Sequence, residues 1–362
     1  MGQTTLQTDS DPQGHDGAAV QASPVTIDVN QFGAGGKPLH VKSESALQDA
    51  MRRLVRNKAA VVGGSIIIIL YVVMILADVI APYPYAKQTL VHQNSVPQWL
   101  LNVFPTMQPY AQVVNDYILG ADYVGRDLFS RIVYGSRVSL IVAIIGPLIS
   151  LIIGVTYGSI SGFFGGKVDN IMMRIVDVLY AFPSILFIIL LMAFFRSTFA
   201  RPDPGTFTYY VSQLDNAMGG MLFIFIGIGM TAWMTMARLT RGQVLSVREK
   251  EFVEAARALG ASNNRIMFRH ILPNIVGPLV VSETLAIPGY ISTEAFLSFI
   301  GLGVNPPTPS WGSMISEGAQ MIRTYPNQAV FPALALAITM FAFNFLGDGL
   351  RDALDPRLRG TQ

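Results

Sequence analysis

The chain has 362 residues, of which 51% are hydrophobic and 13% are charged, and its mean hydropathy is +0.44. A soluble domain has about 25% charged residues, so this composition excludes a soluble globular protein and predicts an integral membrane protein. The formal net charge is only +2, and the lack of cysteine excludes disulfides, iron–sulfur clusters and thiolate zinc sites. The four histidines have no metal-ligand spacing, so no metal site is predicted.

The chain begins with a polar segment that is not expected to fold. Residues 1–42 are rich in Gln, Asp, Gly, Ser and Thr and are predicted to form a disordered cytoplasmic tail. Residues 43–58 are predicted to form an amphipathic helix beside the inner membrane surface. Its apolar stripe lies next to three arginines and contains Ala46, Leu47, Ala50, Met51 and Leu54. Simple anchoring explains such a helix, and a role in gating is the alternative.

Six apolar runs are long enough to cross a hydrocarbon core of about 30 Å as helices. They cover residues 59–77, 138–166, 178–195, 216–237, 273–300 and 324–347. The run at 273–300 is interrupted by Glu283 and Glu294. The predicted fold is therefore all-α, a polytopic bundle of six transmembrane helices. The first helix occupies residues 59–81, and the other five form a core at residues 138–350.

The distribution of basic residues predicts the orientation. Of the 25 Lys and Arg residues, 18 lie in segments that are internal when the N-terminus is inside, and seven lie in external segments. The positive-inside rule then predicts that both termini are cytoplasmic, including the C-terminal residues 351–362. The external loop, residues 82–137, is long and rich in proline and aromatic residues. It is predicted to fold as a cap, either with an aromatic belt at the outer headgroups or with a docking surface for a partner.

A cytoplasmic loop at residues 238–272 is predicted to fold as a helix–turn–helix. Four residues of its first helix are predicted to share one face: Phe252, Ala255, Ala256 and Leu259. Gly260 ends this helix in a left-handed conformation that other residues resist. A second short helix leads to Pro273, which opens the next span where its missing N–H costs little. The loop is either a contact surface for another protein or an ordinary amphipathic connector.

Several motifs resemble those of the permease subunits of ABC-type importers, the binding-protein-dependent transport system inner-membrane components. The match is closest to the C-type subunits of dipeptide and oligopeptide importers. The family's EAA loop is matched by Glu254, Ala255, Ala256, Gly260, Leu272 and Pro273. Collinear matches occur at residues 119–137, 161–170, 294–303, 306–312 and 347–352, so the resemblance covers residues 52–359. Ala121 stands where the family usually has Thr, the external loop is longer than usual, and the N-terminal tail is an addition.

The resemblance implies the architecture of a type I ABC importer. Two homologous permease subunits form the pore, two cytoplasmic ATPase subunits drive it, and an extracytoplasmic substrate-binding protein delivers the ligand. The EAA loop inserts into an ATPase subunit and couples its motion to alternating access. Its expected roles are close packing for Ala255 and Ala256, the turn for Gly260, and a polar contact or helix N-terminal charge for Glu254.

The resemblance also implies ligands and location. The ATPase subunits bind ATP and Mg, so no cofactor is expected in this chain, and no nucleic-acid partner is expected. The implied substrates are di- or oligopeptides, with nickel chelates, glutathione and sugars as alternatives served by related importers. The implied location is the cytoplasmic membrane of a prokaryote.

The chain itself is not predicted to be an enzyme. The string nearest to a P-loop, at residues 161–168, has Ser161 in place of the first glycine and Val168 after the lysine. Glu283 is the deepest acid, and a charge at a helix centre costs about 2.5–3.5 kcal/mol on insertion scales. It is therefore expected either to line the pore or to make a structural hydrogen bond. Gly154 and Gly158, four residues apart, fit a close contact between helices.

Two other classes of membrane protein fit the sequence less well than an importer subunit does. Glu283 is the one feature that permits an ion-coupled secondary transporter, but such folds show two related halves, and no internal repeat is evident. Six spans also fit a channel, but the sequence shows no filter-like or ring-forming charge pattern.

Overall fold

The computed structural model of the chain describes residues 46–354. Within these residues the β-pairing consists of two isolated bridges, Val96 with Val113 and Ala121 with Asp127, so the all-α prediction is confirmed. The predicted tail at 1–42 and most of the predicted C-terminal segment, residues 355–362, lie outside the described residues.

The described residues contain fifteen α-helices: α1 (Ala46–Arg56), α2 (Lys58–Ile75), α3 (Ala77–Ile80), α4 (Gln98–Val103), α5 (Leu128–Ser150), α6 (Thr156–Phe164), α7 (Gly166–Tyr180), α8 (Ser184–Phe199), α9 (Phe207–Ala217), α10 (Leu222–Arg248), α11 (Glu251–Ala258), α12 (Asn263–Ile266), α13 (Leu272–Phe299), α14 (Trp311–Ala319) and α15 (Asn327–Leu354). Two π-helical segments, Leu151–Val155 and Met267–Ile271, join α5 to α6 and α12 to α13. Each joined set forms one continuous helical segment of 37 residues.

Five helical segments are long and apolar enough to cross a membrane: Lys58–Ile75, Leu128–Phe164, Leu222–Arg248, Asn263–Phe299 and Asn327–Leu354. The sixth predicted run falls on α7 and α8, which together are long and apolar enough for a span but are bent by 77° at their junction, as in a broken span or a re-entrant loop. Pro183 lies at this junction, where its ring and its missing N–H prevent α7 from continuing. All six predicted runs are therefore helical in the structure, one of them bent.

Two helix boundaries differ from those expected. The helix expected from residue 138 begins at Leu128, because Asp127 caps it by accepting the Ser130 N–H at 2.7 Å. The loop expected from residue 238 begins later, because α10 continues to Arg248. In both cases the predicted boundary lies at arginines that interrupt an apolar run. Their charges are instead paired with acids on other elements, so the helices continue through them.

The α6 helix packs very closely on α10 through a row of glycines. A Cβ atom added at Gly154 would lie 2.6 Å from the Met236 Cβ, and one added at Gly158 would overlap the Ala237 carbonyl oxygen. One added at Gly162 would lie 2.9 Å from the Arg241 carbonyl oxygen. The close contact predicted from Gly154 and Gly158 is therefore present, and it extends by one further helical turn.

The segment between α3 and α5 folds as a small cap on one end of the bundle. Its core contains Val96, Leu100, Leu101 and Met107. The start of α15 holds this cap: Asn327 donates to the Leu119 carbonyl at 2.9 Å, and Gln328 donates to the Ala121 carbonyl at 3.2 Å. The external loop is therefore folded, as its proline and aromatic content predicts.

The opposite end of the bundle contains α1 and the α10–α13 connection. The start of α2 meets the end of α15, where a Cβ at Gly349 would overlap the Ala60 Cβ. The end of α6 lies beside the end of α10, where Arg248 donates to the Gly162 carbonyl at 2.8 Å. The α15 helix starts at the cap, so its end lies away from the cap. The α5 helix also starts at the cap and runs on into α6, so the end of α6 lies away from the cap as well. The α10–α13 connection therefore projects from the end that the cap does not cover.

Candidate functional site

The connection between α10 and α13 folds as a hairpin of short helices, α11 and α12. Glu251 and Glu254 lie in the first turn of α11, where carboxylates interact favourably with the helix dipole. Gly260 has φ +77°, the left-handed conformation predicted for it, and its N–H donates to the Arg257 carbonyl at 3.0 Å. Ser262 then caps α12 by accepting the Arg265 N–H at 3.4 Å. The hairpin thus has a sharp, defined turn.

The two sides of α11 differ in exposure. Val253 and Ala256 are buried against the bundle, and Ala256 is only 8% exposed. Phe252, Ala255 and Leu259 are exposed on the other side, Leu259 at 89%. The predicted common face is therefore wrong for Ala256, which packs inside its own chain. The spacing of three residues between Val253 and Ala256 makes them neighbours on a helix, and this pair forms the buried stripe.

The hairpin is fixed to several membrane helices by one apolar cluster. Its buried members are Met236, Val244, Val253, Ala256, Ile266, Ile271, Ile275 and Leu279. Leu272 and two residues of the first π-helical segment, Leu151 and Val155, are half-buried against it. Because this cluster joins α11 to α10, to α13 and to the α5–α6 segment, a displacement of α11 acts on all three.

Pro273 lies in the first turn of α13, as expected, although α12 and the second π-helical segment lead into α13 without a break. Proline cannot donate to the carbonyl one turn before it, and the adjoining π-helical segment already departs from regular α-helical bonding. Asn274 donates to the His270 carbonyl at 2.6 Å and satisfies one acceptor beside the proline. Pro273 therefore marks a local irregularity at the base of the hairpin.

Ion pairs join α7 to α10 near the hairpin. Asp169 accepts two hydrogen bonds from Arg241, both 2.5 Å long, and a third from Ser161. Asp177 pairs with Arg238 at 2.8 Å. The P-loop-like string at 161–168 therefore forms a corner between two helices, with Gly165 at φ +65°. This corner lacks the strand-to-helix context of a phosphate-binding loop.

Glu283 belongs to α13, contacts α5 and is only 5% exposed. It accepts hydrogen bonds from the Ser150 hydroxyl at 2.5 Å and from the Tyr290 hydroxyl at 3.1 Å. Glu294, about three turns further along the same side of α13, is fully buried and accepts hydrogen bonds from the Ser139 hydroxyl at 3.1 Å and from the Ser298 hydroxyl at 2.7 Å. These hydroxyl donors offset part of the cost of burying the carboxyl groups. The arrangement fits the structural role of Glu283, and its pore-lining role stays a prediction.

A buried charge cluster at the cap end was not foreseen. Arg131, which has a 2% exposed side chain, pairs with Asp122 at 2.5 Å and with Glu317 of α14 at 2.7 Å. Arg126 pairs with the same two acids, at 2.6 and 2.9 Å. The cluster fixes the cap to α5 and α14. Asp122, Arg126 and Arg131 stand in the motif at 119–137, but no local pattern signals the distant Glu317.

The chain matches two family models. Residues 154–360, which include the hairpin and the α13 and α15 helices, match the model described as "Binding-protein-dependent transport system inner membrane component". Residues 45–97 match the model described as "N-terminal TM domain of oligopeptide transport permease C".

Full-length relatives are similar along nearly the whole chain. The oligopeptide transport system permease protein OppC of Bacillus subtilis is 41% identical over 318 residues, which cover 88% of this chain and 92% of the relative. The protein of the same name from Haemophilus influenzae is 40% identical over 334 residues, 91% and 95% of the two chains. The dipeptide transport system permease protein DppC of Bacillus subtilis is 39% identical over 318 residues, 88% of each. With its fold, its hairpin and these matches, the chain belongs to the family of binding-protein-dependent transport system inner membrane components.

Proposed function

We propose that this chain forms half of the translocation pore of an ATP-driven importer of di- and oligopeptides. The observation that carries the proposal is the hairpin, whose α11 helix exposes Phe252, Ala255 and Leu259 while Val253 and Ala256 are buried in the bundle core. An exposed apolar face on a short helix is typical of a contact site for another protein. The peptide substrate is supported by the names of the relatives.

In this proposal the exposed face of α11 inserts into a cleft of a cytoplasmic ATPase subunit. Two such subunits bind ATP and Mg, and their closure displaces the hairpin. The displacement passes through Val253 and Ala256 to α10, α13 and the α5–α6 segment and switches the pore between inward-facing and outward-facing states. A second, homologous permease subunit completes the pore, and an extracytoplasmic binding protein delivers the peptide at the cap end. ATP hydrolysis takes place in the ATPase subunits alone.

The residues of the hairpin have distinct roles. Ala255 is small and exposed, so it permits close approach of the ATPase, and Glu254 beside it offers a polar contact. Gly260 holds the turn, and Ala256 transmits force to the bundle core. Leu272 and Pro273 form the base of the hairpin, where the regular helix is interrupted.

The proposed location is the cytoplasmic membrane of a prokaryote, with both termini and the hairpin in the cytoplasm. The distribution of basic residues, 18 internal against seven external, supports this orientation. The exposed apolar side chains of the membrane helices are then covered by lipid and by the second permease subunit.

Reconstitution tests the proposal. Liposomes that contain this chain, its companion permease and the ATPase subunits should take up labelled peptide only with the binding protein and Mg-ATP present. Liposomes with this chain alone should take up none, with or without an ion gradient. Gradient-driven uptake by the chain alone would contradict the proposal and favour an ion-coupled secondary transporter. Parallel assays with glutathione, nickel chelates and sugars decide among the substrates.

A further inference from the structure

A cavity of about 250 Å³ lies between α6 and the segment formed by α12, the second π-helical segment and the start of α13. One wall is formed by Val155, Ser159 and Phe163, and the other by Met267, Phe268 and Leu272. Val155 belongs to the first π-helical segment, and Met267 and Phe268 belong to the second. The cavity therefore lies between the two irregular helical segments that meet at the hairpin.

The rim of the cavity is exposed and mostly apolar, and its polar members are Thr156, Asn263 and Asn264. Phe268 is 69% exposed, and Ile160 and Phe164 are exposed as well. Large apolar side chains around an opening mark a site for an apolar ligand or for lipid chains. The wall also contains one polar group without a partner, since the buried Ser159 hydroxyl makes no hydrogen bond within residues 46–354.

Three cations lie close in the chain to residues that line this apolar site. Arg265 and Arg269 belong to the same continuous helical segment as Met267 and Phe268, and Lys167 follows Phe164 by three residues at the start of α7. All three side chains are exposed, and none forms an ion pair with another described residue. The nearby acid Asp169 is already bound by Arg241. An apolar cavity beside unpaired cations matches a ligand with a hydrocarbon tail and an anionic head.

We propose that the cavity and the three cations bind an acidic phospholipid of the cytoplasmic leaflet. One acyl chain fills the cavity between Ser159 and Met267, and the phosphate group lies against Arg265, Arg269 and Lys167. The lipid would thus occupy the space between α6 and the hairpin, where it resists a change in their separation. The proposal concerns lipid binding and stands whether or not the chain transports peptides.

Lipid titration of the purified transporter complex, followed by native mass spectrometry, tests this site. The probes are phosphatidylglycerol and phosphatidylcholine with identical acyl chains. The wild-type complex should bind phosphatidylglycerol more tightly. Each cation near a phosphate contributes about a fivefold change in affinity, so the Arg265→Gln, Arg269→Gln double variant should lose about thirtyfold. The matched control is the Arg201→Gln, Arg323→Gln double variant, which removes two exposed cations from segments predicted to be external.

Cavity-filling variants test the acyl-chain half of the site. Ser159→Leu adds apolar volume inside the cavity and should abolish tight binding of phosphatidylglycerol. If Ser159→Leu fails to fold, Ile160→Trp at the exposed rim serves the same purpose with less disturbance of the packed core. Equal affinity of the wild type for the two lipids would overturn the proposal. So would unchanged phosphatidylglycerol binding in the arginine double variant, or in every folded cavity variant.

Discussion

Replacing Gly158 by alanine probes a very close contact between two membrane helices, α6 and α10. The added Cβ would overlap the backbone carbonyl oxygen of Ala237 and would lie 2.7 Å from the Thr240 Cβ. A backbone carbonyl within a helix cannot move away alone, so α6 and α10 must separate as units. Their separation would loosen the contacts that the same row of glycines makes at neighbouring turns.

The magnitude follows from two opposing effects. Adding a methyl group to a well-packed interior typically costs about 1–3 kcal/mol. Alanine in a helix gains about 0.5–1 kcal/mol over glycine. Taking the midpoints of these two ranges, the net expectation for Gly158→Ala is a loss of about 1 kcal/mol in the free energy of unfolding. Gly162→Ala should lose less, because its Cβ would lie 2.9 Å from the nearest atom.

Thermal and denaturant unfolding of the purified chain in detergent measures this loss. Gly242 of α10 and Gly277 of α13 provide matched controls, because a Cβ at either position meets no atom within 4 Å. Alanine at these positions should raise stability by about 0.5–1 kcal/mol. A Gly158→Ala variant as stable as Gly242→Ala would refute the close packing of α6 on α10.

Three further changes have defined outcomes. Gly260→Val should lower the free energy of unfolding by about 1–2 kcal/mol through backbone strain alone, since a Cβ at this position meets no atom within 4 Å. The variant should insert into the membrane and its complex should still hydrolyse ATP, but peptide uptake should be abolished. Normal uptake would contradict the coupling role of Gly260. Glu283→Gln should be tolerated, whereas Glu283→Leu should lose about 1–3 kcal/mol of stability, because it leaves the Tyr290 hydroxyl unpaired and the Ser150 hydroxyl with only the Ala232 carbonyl at 3.3 Å; equal melting temperatures would count against these hydrogen bonds. Burial raises the pKa of Asp127, so its folded-state ionisation is disfavoured and stability falls as pH rises through that pKa. Asp127→Asn keeps an acceptor for the Ser130 N–H, so its melting temperature should exceed that of the wild type increasingly as pH rises; a constant difference across pH would exclude this explanation.

The membrane-spanning helices could be predicted from the sequence because hydrocarbon requires long uncharged runs, whatever the tertiary contacts. The same local reasoning located the turn at Gly260, where a left-handed conformation favours glycine. It also found the close contact at Gly154 and Gly158, since small residues one turn apart permit helices to approach. These features depend on residues near one another in the chain.

The errors arose where distant residues decide the outcome. The α5 helix includes the charged Arg131 because Asp122 and Glu317 neutralise its charge, and Glu317 is 186 positions away in the chain. Local sequence offers no signal for such a partner. The assignment of Ala256 to the exposed side of α11 failed for a related reason. In a helix of eight residues, the surrounding bundle determines which face is buried.

Cross-linking provides the most direct test of contact between the hairpin and the ATPase. The chain has no native cysteine, so Ala255→Cys on the exposed side of α11 introduces its only thiol. Ala256→Cys is the buried control, and Val91→Cys, 76% exposed at the cap, is the exposed control. A maleimide–benzophenone label is attached to each variant before assembly with the companion permease and the ATPase subunits.

Illumination should join position 255 to an ATPase subunit, with a yield that changes when Mg-ATP is added. Position 256 should take little label, and position 91 should take the label but form no adduct with the ATPase. Failure of position 255 to reach the ATPase in an assembled, active transporter would contradict the proposed coupling. An equal ATPase adduct from position 91 would contradict it as well.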